Sequence, residues 1–406
     1  LGGKSAMAEK YGLAPAAPLL WQWKDRIDRA FMDKLDELPV MKVPALPSVV
    51  AKGVQEDAQV IPLCGGCGAK VGGGVLSQAI SAGQGTSQAD VVAGPGDDAA
   101  ILRQPCGGYQ VLSTDHLRAF IDDPVQMTRI AAVHALGDIW AMGATPQAAL
   151  STLVLPRMST ALQARTLREI NDAAQDVFAQ AGANIIGGHT TMGAELTIGF
   201  TVTGLRDDMP ITVSGAQAGD MLLLTRPIGT GVILAAHMAG KAPARIVADV
   251  LSAMEQPQQA AAAILRDAHA MTDVTGFGLA GHIQAICAAS RLRADVTRDK
   301  IPVYAGARTL SDQGIRSSLL AANIADAPTT GIDDPLLHDP QTAGGLLAAL
   351  SPDAAEKAME ALRAAGVEAV IIGKLSAGSG PIRASWTARG RGGRVRPKCV
   401  CPYLSS

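Results

Sequence analysis

Aromatic side chains make up only 3% of this 406-residue chain, too few to furnish the base-stacking surface of a single-strand nucleic-acid binder. An excess of either charge is also missing. Lys and Arg number 35 against 37 Asp and Glu, for a net charge of −2, so no basic footprint for a phosphate backbone exists. No apolar run reaches the ~20 residues that cross a bilayer. The first thirty residues hold Lys4, Lys10, Asp25 and Asp28 amid short apolar pieces, which is not a signal-peptide pattern. Six unevenly placed cysteines in so long a chain do not form a secreted disulfide framework, which points to a reducing, cytoplasmic setting. Gly-x-x-x-x-Gly-Lys-Ser/Thr is absent, which excludes a P-loop, and so is the His-Arg-Asp set of a protein kinase. What remains is a chain with 48% hydrophobic residues, enough for sizeable cores, and a length that predicts two or three domains.

Residues 1–60 differ from the rest. Leu20–Met32 reads as a short amphipathic helix rich in aromatics, and residues 46–57 as a linker. Such a helix ordinarily packs on something larger. The chain opens on Leu1 rather than Met, as a fragment or a processed product does. From Leu63, strands and helices alternate with short glycine turns between them, which predicts a mixed α and β fold. Asp123-Pro124 is a strong helix start, with Asp as N-cap and Pro in the first turn, and that helix is expected to stop near Gly143. A boundary is expected at 207–215. The organisation is then 1–60, 61–210, 211–386 and a basic tail at 387–406 that ends in Cys399-Val-Cys401 and is expected to be disordered.

The chemistry is carried by acidic turns. Gly94-Pro-Gly96-Asp97-Asp98 sets two adjacent carboxylates on a glycine turn. Adjacent carboxylates repel, and a hard divalent cation such as Mg²⁺ compensates them, while the glycines let backbone N–H groups approach an anion. Asp115, at a strand end, Asp138 and Asp273 extend the set. Each alone reads as a cap or a solvated turn; together they suit metal ions on a polyphosphate. Asp138 is hardest to dismiss, because it lies in an apolar helix beside Ile139 and Trp140, where an uncompensated charge is costly. Gly187-Gly188-His189 follows a strand-like run and suits the approach of a nucleotide, though the pattern is weak. Arg226-Pro-Ile-Gly-Thr-Gly231 opens a helix whose N-terminus offers an anion site, against the bland reading of a common Gly-x-Gly turn. Cys64-x-x-Cys67 is a zinc half-site, a redox pair or nothing. Lys70 either lowers a nearby thiol pKa or reaches a phosphate, and the glycines around Cys64–Gly74 suggest a mobile flap.

With these stretches the chain, from about Leu63 to Trp386, resembles the selenophosphate synthetase (selenide, water dikinase) family. The likeness is carried by Cys67-Gly-Ala-Lys70, Gly96-Asp-Asp-Ala-Ala100, Ser113-Thr-Asp115, Ala135-Leu-Gly-Asp138-Ile-Trp-Ala-Met-Gly143, Gly187-Gly-His-Thr190, Met271-Thr-Asp-Val-Thr-Gly-Phe-Gly-Leu279 and Asp339-Pro-Gln-Thr-Ala-Gly-Gly345. The resemblance implies an α+β, two-domain aminoimidazole-ribonucleotide-synthetase-like fold with mixed sheets and packed helices, and a homodimer formed by the N-terminal domain. It implies a transferase that converts selenide, ATP and water to selenophosphate, AMP and phosphate with Mg²⁺. On this likeness Asp98, Asp138 and Asp273 are metal ligands. Lys70, Gly96, Asp97, Asp115, Gly187, Gly188 and His189 face the nucleotide. Cys67 is the catalytic thiol with Lys70 as its partner. The family often carries a second cysteine where this chain has Ala69, so the likeness assigns Cys64 no role. The competing readings are a thiamine-monophosphate kinase-like enzyme of the same superfamily and a non-catalytic selenium or metal carrier. Residues 15–45 resemble the end of an FAD-dependent NADH-dehydrogenase-like domain found fused to this family.

Overall fold

The structure is a computed structural model, and it describes residues 4–7, 16–36, 64–81, 88–94 and 96–387. The expectations for residues 46–57 and for the Cys399/Cys401 tail lie outside these. The chain divides into two units, residues 1–61 and 62–406. In the first, the expected amphipathic helix forms as α1, Pro18–Asp36. Its polar face carries the i, i+4 pairs Lys24–Asp28 and Asp25–Arg29, a spacing that brings side chains together on a helix surface. Leu19, Trp23, Ile27 and Phe31, also four apart, lie exposed along it.

The second unit holds two mixed sheets. The first is built from β1 (Val91–Ala93), β2 (Ala100–Arg103), β3 (Tyr109–Arg118), β4 (Thr145–Pro156), β5 (Asn184–Gly193) and β6 (Thr197–Arg206), in the order β1-β2-β3-β6-β4-β5. All neighbours are antiparallel except β4 and β5. The second sheet holds β7 (Met221–Leu224), β8 (Ala270–Asp273), β9 (Leu292–Thr297), β10 (Thr329–Gly331), β11 (Leu346–Leu350), β12 (Val370–Ala377) and β13 (Ile382–Ser385), in the order β8-β11-β7-β12-β9-β13-β10. β7 and β11 read as continuous apolar runs and, with β8, are buried throughout apart from Met221 at the start of β7, as strands covered on both faces are.

Between the sheets runs the helix predicted from Asp123-Pro124. After α2 (Gly73–Ser81), this is α3, Pro124–Ala141. Asp123 Oδ1 caps it by accepting from Val125 N (2.8 Å) and Gln126 N (3.2 Å), and Gly143 ends it with φ +65°, a left-handed conformation that glycine adopts without strain. The helix has no polar face: from Met127 to Ala141 only Arg129 escapes burial, as expected of a helix covered on all sides. It packs on β3 and β6 of the first sheet and on β8 of the second. Each large apolar side chain it buries, Ile130, Leu136, Ile139 and Trp140 among them, contributes roughly 1.5–3 kcal/mol. The polar residues His134 and Asp138 are buried within the same helix, and they mark the site.

Candidate active site at the helix between the sheets

Two periodicities build the site. Along β3 side chains alternate, and Val111 and Leu117 are buried toward α3, so Ser113 and Asp115 point the same way. Along α3 residues four apart share a face, which aligns His134 with Asp138. The two sets meet as rungs. Ser113 Oγ donates to Asp138 Oδ2, and His134 Nε2 lies 3.3 Å from Asp115 Oδ2. Asp273 ends β8 and reaches the helix opposite Gly137, where a Cβ would lie 2.4 Å from Asp273 Oδ2. Only glycine lets that carboxylate approach. Asp98 arrives from the turn before β2.

The result is a cluster in which oxygens of Asp98, Asp138 and Asp273 all lie within 4.8 Å of one another. Burial, and then the charge of the neighbouring carboxylates, pushes all three well above the usual carboxylate range. Asp98 Oδ2 and Asp273 Oδ1 are buried without a hydrogen-bond partner among the described residues. Asp98 is oriented through a directed chain. Thr275 N–H donates to His282 Nε2 (3.0 Å), which leaves Nδ1–H to donate to Thr272 Oγ1 (3.0 Å), and Thr272 donates to Asp98 Oδ1 (2.8 Å). His282 stays neutral in this chain, because burial and then the Lys70 charge push it down to about 3.

Beside the carboxylates lies a turn of 3₁₀ helix, Gly66–Ala69. Thr342 Oγ1 accepts from Cys67 N (3.2 Å), and Ser318 Oγ accepts from Cys64 N (3.1 Å) and donates to Gly68 O (2.8 Å). The segment expected to be a mobile flap is thus seen docked, with Cys67 1% exposed. Lys70, with a 30% exposed side chain, pairs with Asp115 Oδ1 at 3.0 Å. Burial opposes the Lys70 charge, but Asp115, Cys67 and Asp138 outweigh it and hold the ammonium above its usual value. Burial likewise opposes ionisation of Asp115, yet the His134 ring when charged, and Lys70, bring its carboxyl below the usual range. Burial pushes the Cys67 thiol up to about 12, against the pull of Lys70. A cavity of about 530 Å³ opens here, lined by Lys70, Asp97, Asp98, Asp115, Asp138 and His282 among others.

Residues 96–206 match the AIR synthase related protein N-terminal domain, and residues 217–383 its C-terminal domain. The chain is 34% identical over 330 residues to the selenide, water dikinase of Myxococcus xanthus, covering 78% of this chain and 93% of that one. The chain belongs to the selenide, water dikinase family. The dikinase of Pelobacter propionicus is 33% identical over 325 residues, covering 76% and 92%. Among solved structures, a thiamine-monophosphate kinase from Stenotrophomonas maltophilia is similar with a TM-score of 0.56 at 22% identity, covering 74% of this chain and 92% of that one. The hydrogenase maturation protein HypE is similar with a TM-score of 0.54 at 21% identity, covering 74% and 87%. These two likenesses speak for the expected AIR-synthase-like fold and for nothing more.

Of the residues singled out from the sequence, Asp98, Asp115, Asp138, Asp273, Cys67 and Lys70 come together in this one place. Asp97 lines the same cavity, but its carboxylate is engaged by backbone, accepting from Asp98 N (3.0 Å) and Val213 N (3.2 Å). Gly96 turns the chain there with φ +127°. Gly187, Gly188 and His189 do not join them. They lie exposed on β5, at the far edge of the first sheet, with β6 and β4 between them and β3. At Arg226–Gly231 the structure favours the bland reading over an anion site, because the helix N-terminus is filled from within. Gln341 Oε1 accepts from Gly229 N (2.8 Å) and Thr230 N (3.0 Å) at the start of the helix Thr230–Met238, and the Arg226 guanidinium donates to Ala343 O and Gln256 O. His134 and His282 were missed. The four-residue step from His134 to Asp138 was the available signal for the first; His282 had none, since its role is set by Thr272 and Thr275 folding back around it.

Proposed function

We propose that this chain forms selenophosphate from selenide, ATP and water, releasing AMP and phosphate, with Mg²⁺ as its metal. The observation that carries this reading is the meeting of three mutually repelling carboxylates with a cysteine–lysine pair beside one cavity. A cluster of hard oxygen donors with two orphaned carboxylate oxygens fits a divalent cation. Asp98, Asp138 and Asp273 would hold it, and bound there it would supply the positive charge that lets an anion approach a polyphosphate.

The remaining roles belong to the chain's own groups. Lys70 is kept charged by Asp115 and is partly exposed to the cavity, which suits it to a phosphate oxygen. Selenide at neutral pH is an anion, so a lysine beside the reacting phosphate lowers the repulsion it meets. Cys67 supplies a soft sulfur that a simple hydroxyl kinase does not need. The Thr275–His282–Thr272 chain holds Asp98 in one orientation. Gly96 and Asp97 shape the turn that presents it to the nucleotide. The docked Cys64–Gly74 segment shields the site from water, as a reactive intermediate requires.

A homodimer through the first sheet completes this proposal. β5 is an edge strand, and Ile186 and Met192 stand exposed on it. A second copy covering that edge would bring Gly187–His189 into an interface, and their nucleotide-binding role rests on it. Among the described residues no helix is long and apolar enough to cross a membrane. Cys64, Cys67, Cys106 and Cys287 are all free, which suits the reducing cytoplasm proposed for this chemistry. The proposed organisation remains 1–60 as a helical remnant with its linker, 61–210 and 211–386 as the two synthetase domains, and 387–406 as a tail. The test is ³¹P NMR of an anaerobic ATP–Mg²⁺ reaction with and without selenide. A selenophosphate resonance accompanied by AMP and phosphate is expected; ATP converted only to ADP, or unchanged, would overturn the proposal.

A further inference from the structure

His134 is the buried titratable group that this mechanism leaves unused. Its side chain is fully buried, and its ring nitrogens have unequal surroundings. Nδ1 has no partner. Nε2 lies 3.2 Å from Cys67 Sγ and 3.3 Å from Asp115 Oδ2. Sulfur and carboxylate therefore converge on a single nitrogen. In a nucleophile triad the acid and the nucleophile use opposite nitrogens, and the ring takes the nucleophile's proton. That cannot happen here while Asp115 is ionised. An ionised carboxylate only accepts hydrogen bonds, and a bare nitrogen lone pair facing it would be repelled. Nε2 must therefore carry the proton, and Nδ1 holds the lone pair. Lys70, 3.0 Å from the other Asp115 oxygen, keeps the carboxylate ionised. Burial, the largest influence on the ring, keeps it neutral and pushes His134 down to about 4.

We propose that His134 is a positioning residue for Cys67: a neutral Nε2–H donor to the sulfur, its tautomer fixed by Asp115. The inference rests on the reading of Cys67 as the catalytic thiol. The histidine is not the base that deprotonates it. Its N–H stabilises negative charge on sulfur, or on a selenium atom carried there, by a charge-assisted hydrogen bond. The other groups acting on this sulfur are Lys70, which favours the thiolate, Asp115 and Asp273, which oppose it, and Thr342, which favours it through a hydrogen bond. Because Asp115 shares the Nε2–H, Lys70 has a second role: by drawing on the carboxylate it weakens that competition and leaves more of the N–H to sulfur.

Two measurements test this. The first uses the unaltered protein. The ¹⁵N shifts of the His134 ring should show Nε2 protonated and Nδ1 bare at neutral pH. An Nδ1–H tautomer or an imidazolium would overturn the proposal. The second compares His134→Gln, whose amide N–H reaches toward the same place, with His134→Phe, which keeps the ring and removes the donor. The pH midpoint of Cys67 alkylation should rise in the Phe variant and return toward wild type in the Gln variant. Selenophosphate formation should fall roughly tenfold or more in the Phe variant, as loss of a hydrogen bond to a charged group does, with nucleotide binding little changed. Equal alkylation midpoints in wild type and the Phe variant would overturn the proposal. If wild type makes no selenophosphate, the proposed function fails while the tautomer and midpoint still decide the role of His134.

Discussion

Replacing Asp138 by Asn should make the metal-free protein more stable and the enzyme nearly inactive. Asp138 is 7% exposed and shares a 4.8 Å neighbourhood with Asp98 and Asp273. At that separation two full charges in an effective dielectric of 20 repel by about 3.5 kcal/mol. The cluster lessens this by binding protons, and that is why all three groups stand above their usual range. Asn removes one charge and keeps the oxygen that Ser113 binds, so roughly 1–3 kcal/mol should be released at pH 8. The melting temperature in chelator should rise by roughly 2–4 °C for each kcal/mol. The pH dependence follows from the sign of the shift. These carboxyls bind protons more tightly folded than unfolded, so metal-free stability is greatest below the ordinary value near 3.8. It falls as pH climbs from there through the raised folded values. Asp138→Asn should flatten that slope. Mg²⁺ with an ATP analogue should stabilise wild type by mass action and the variant far less. ATP turnover at limiting Mg²⁺ should drop roughly a hundredfold, about 2.7 kcal/mol at the transition state. A variant that melts lower than wild type in chelator, or keeps its turnover, would refute the picture of a strained carboxylate cluster awaiting a cation.

Gly137→Ala places a Cβ 2.4 Å from Asp273 Oδ2, so it should weaken Mg²⁺-dependent turnover as much as loss of a ligand while the fold survives; unchanged activity would show that Asp273 does not need this approach. Cys67→Ser should abolish selenophosphate formation and leave nucleotide binding nearly intact. Cys64→Ser should retain turnover, since among the described residues the Cys64 sulfur accepts only from Ser318 N, at 3.4 Å; the reverse pattern in an anaerobic assay would assign the chemistry to the other thiol. Lys70→Ala should weaken both nucleotide binding and catalysis, and should lift Asp115 toward the usual carboxylate range, which ¹³C NMR titration reads; an unmoved Asp115 would contradict the Lys70–Asp115 pair. Hydrogen exchange of residues 64–74 should slow when ATP analogue and Mg²⁺ are added. An unchanged rate would make the docked segment a static wall rather than a lid.

Much of this site was legible from local chemistry. A pair of aspartates on a glycine turn and an aspartate inside an apolar helix drew attention to Asp97, Asp98 and Asp138, whereas Cys67 was told from Cys64, and Asp98 from Asp97, only by the resemblance to the family. The Asp123-Pro124 start and Gly143 stop of α3 were equally local, because caps and left-handed turns depend on a few neighbouring residues. The tertiary structure decided which of these residues meet, and how. Asp98 and Asp273 are brought to α3 by packing across two sheets, and Gly137 proved to matter because of what sits opposite it. The glycines of 187–188 and 229–231 show the limit of local reading. Both stretches offer backbone donors, yet one lies on a sheet edge and the other is capped by Gln341, more than a hundred residues away. His134 is the sharpest case. Its spacing from Asp138 is written in the sequence, but its tautomer depends on a sulfur and a carboxylate converging on one nitrogen. Hydrogen-bond direction is a property of three-dimensional neighbours, and no sequence pattern specifies it.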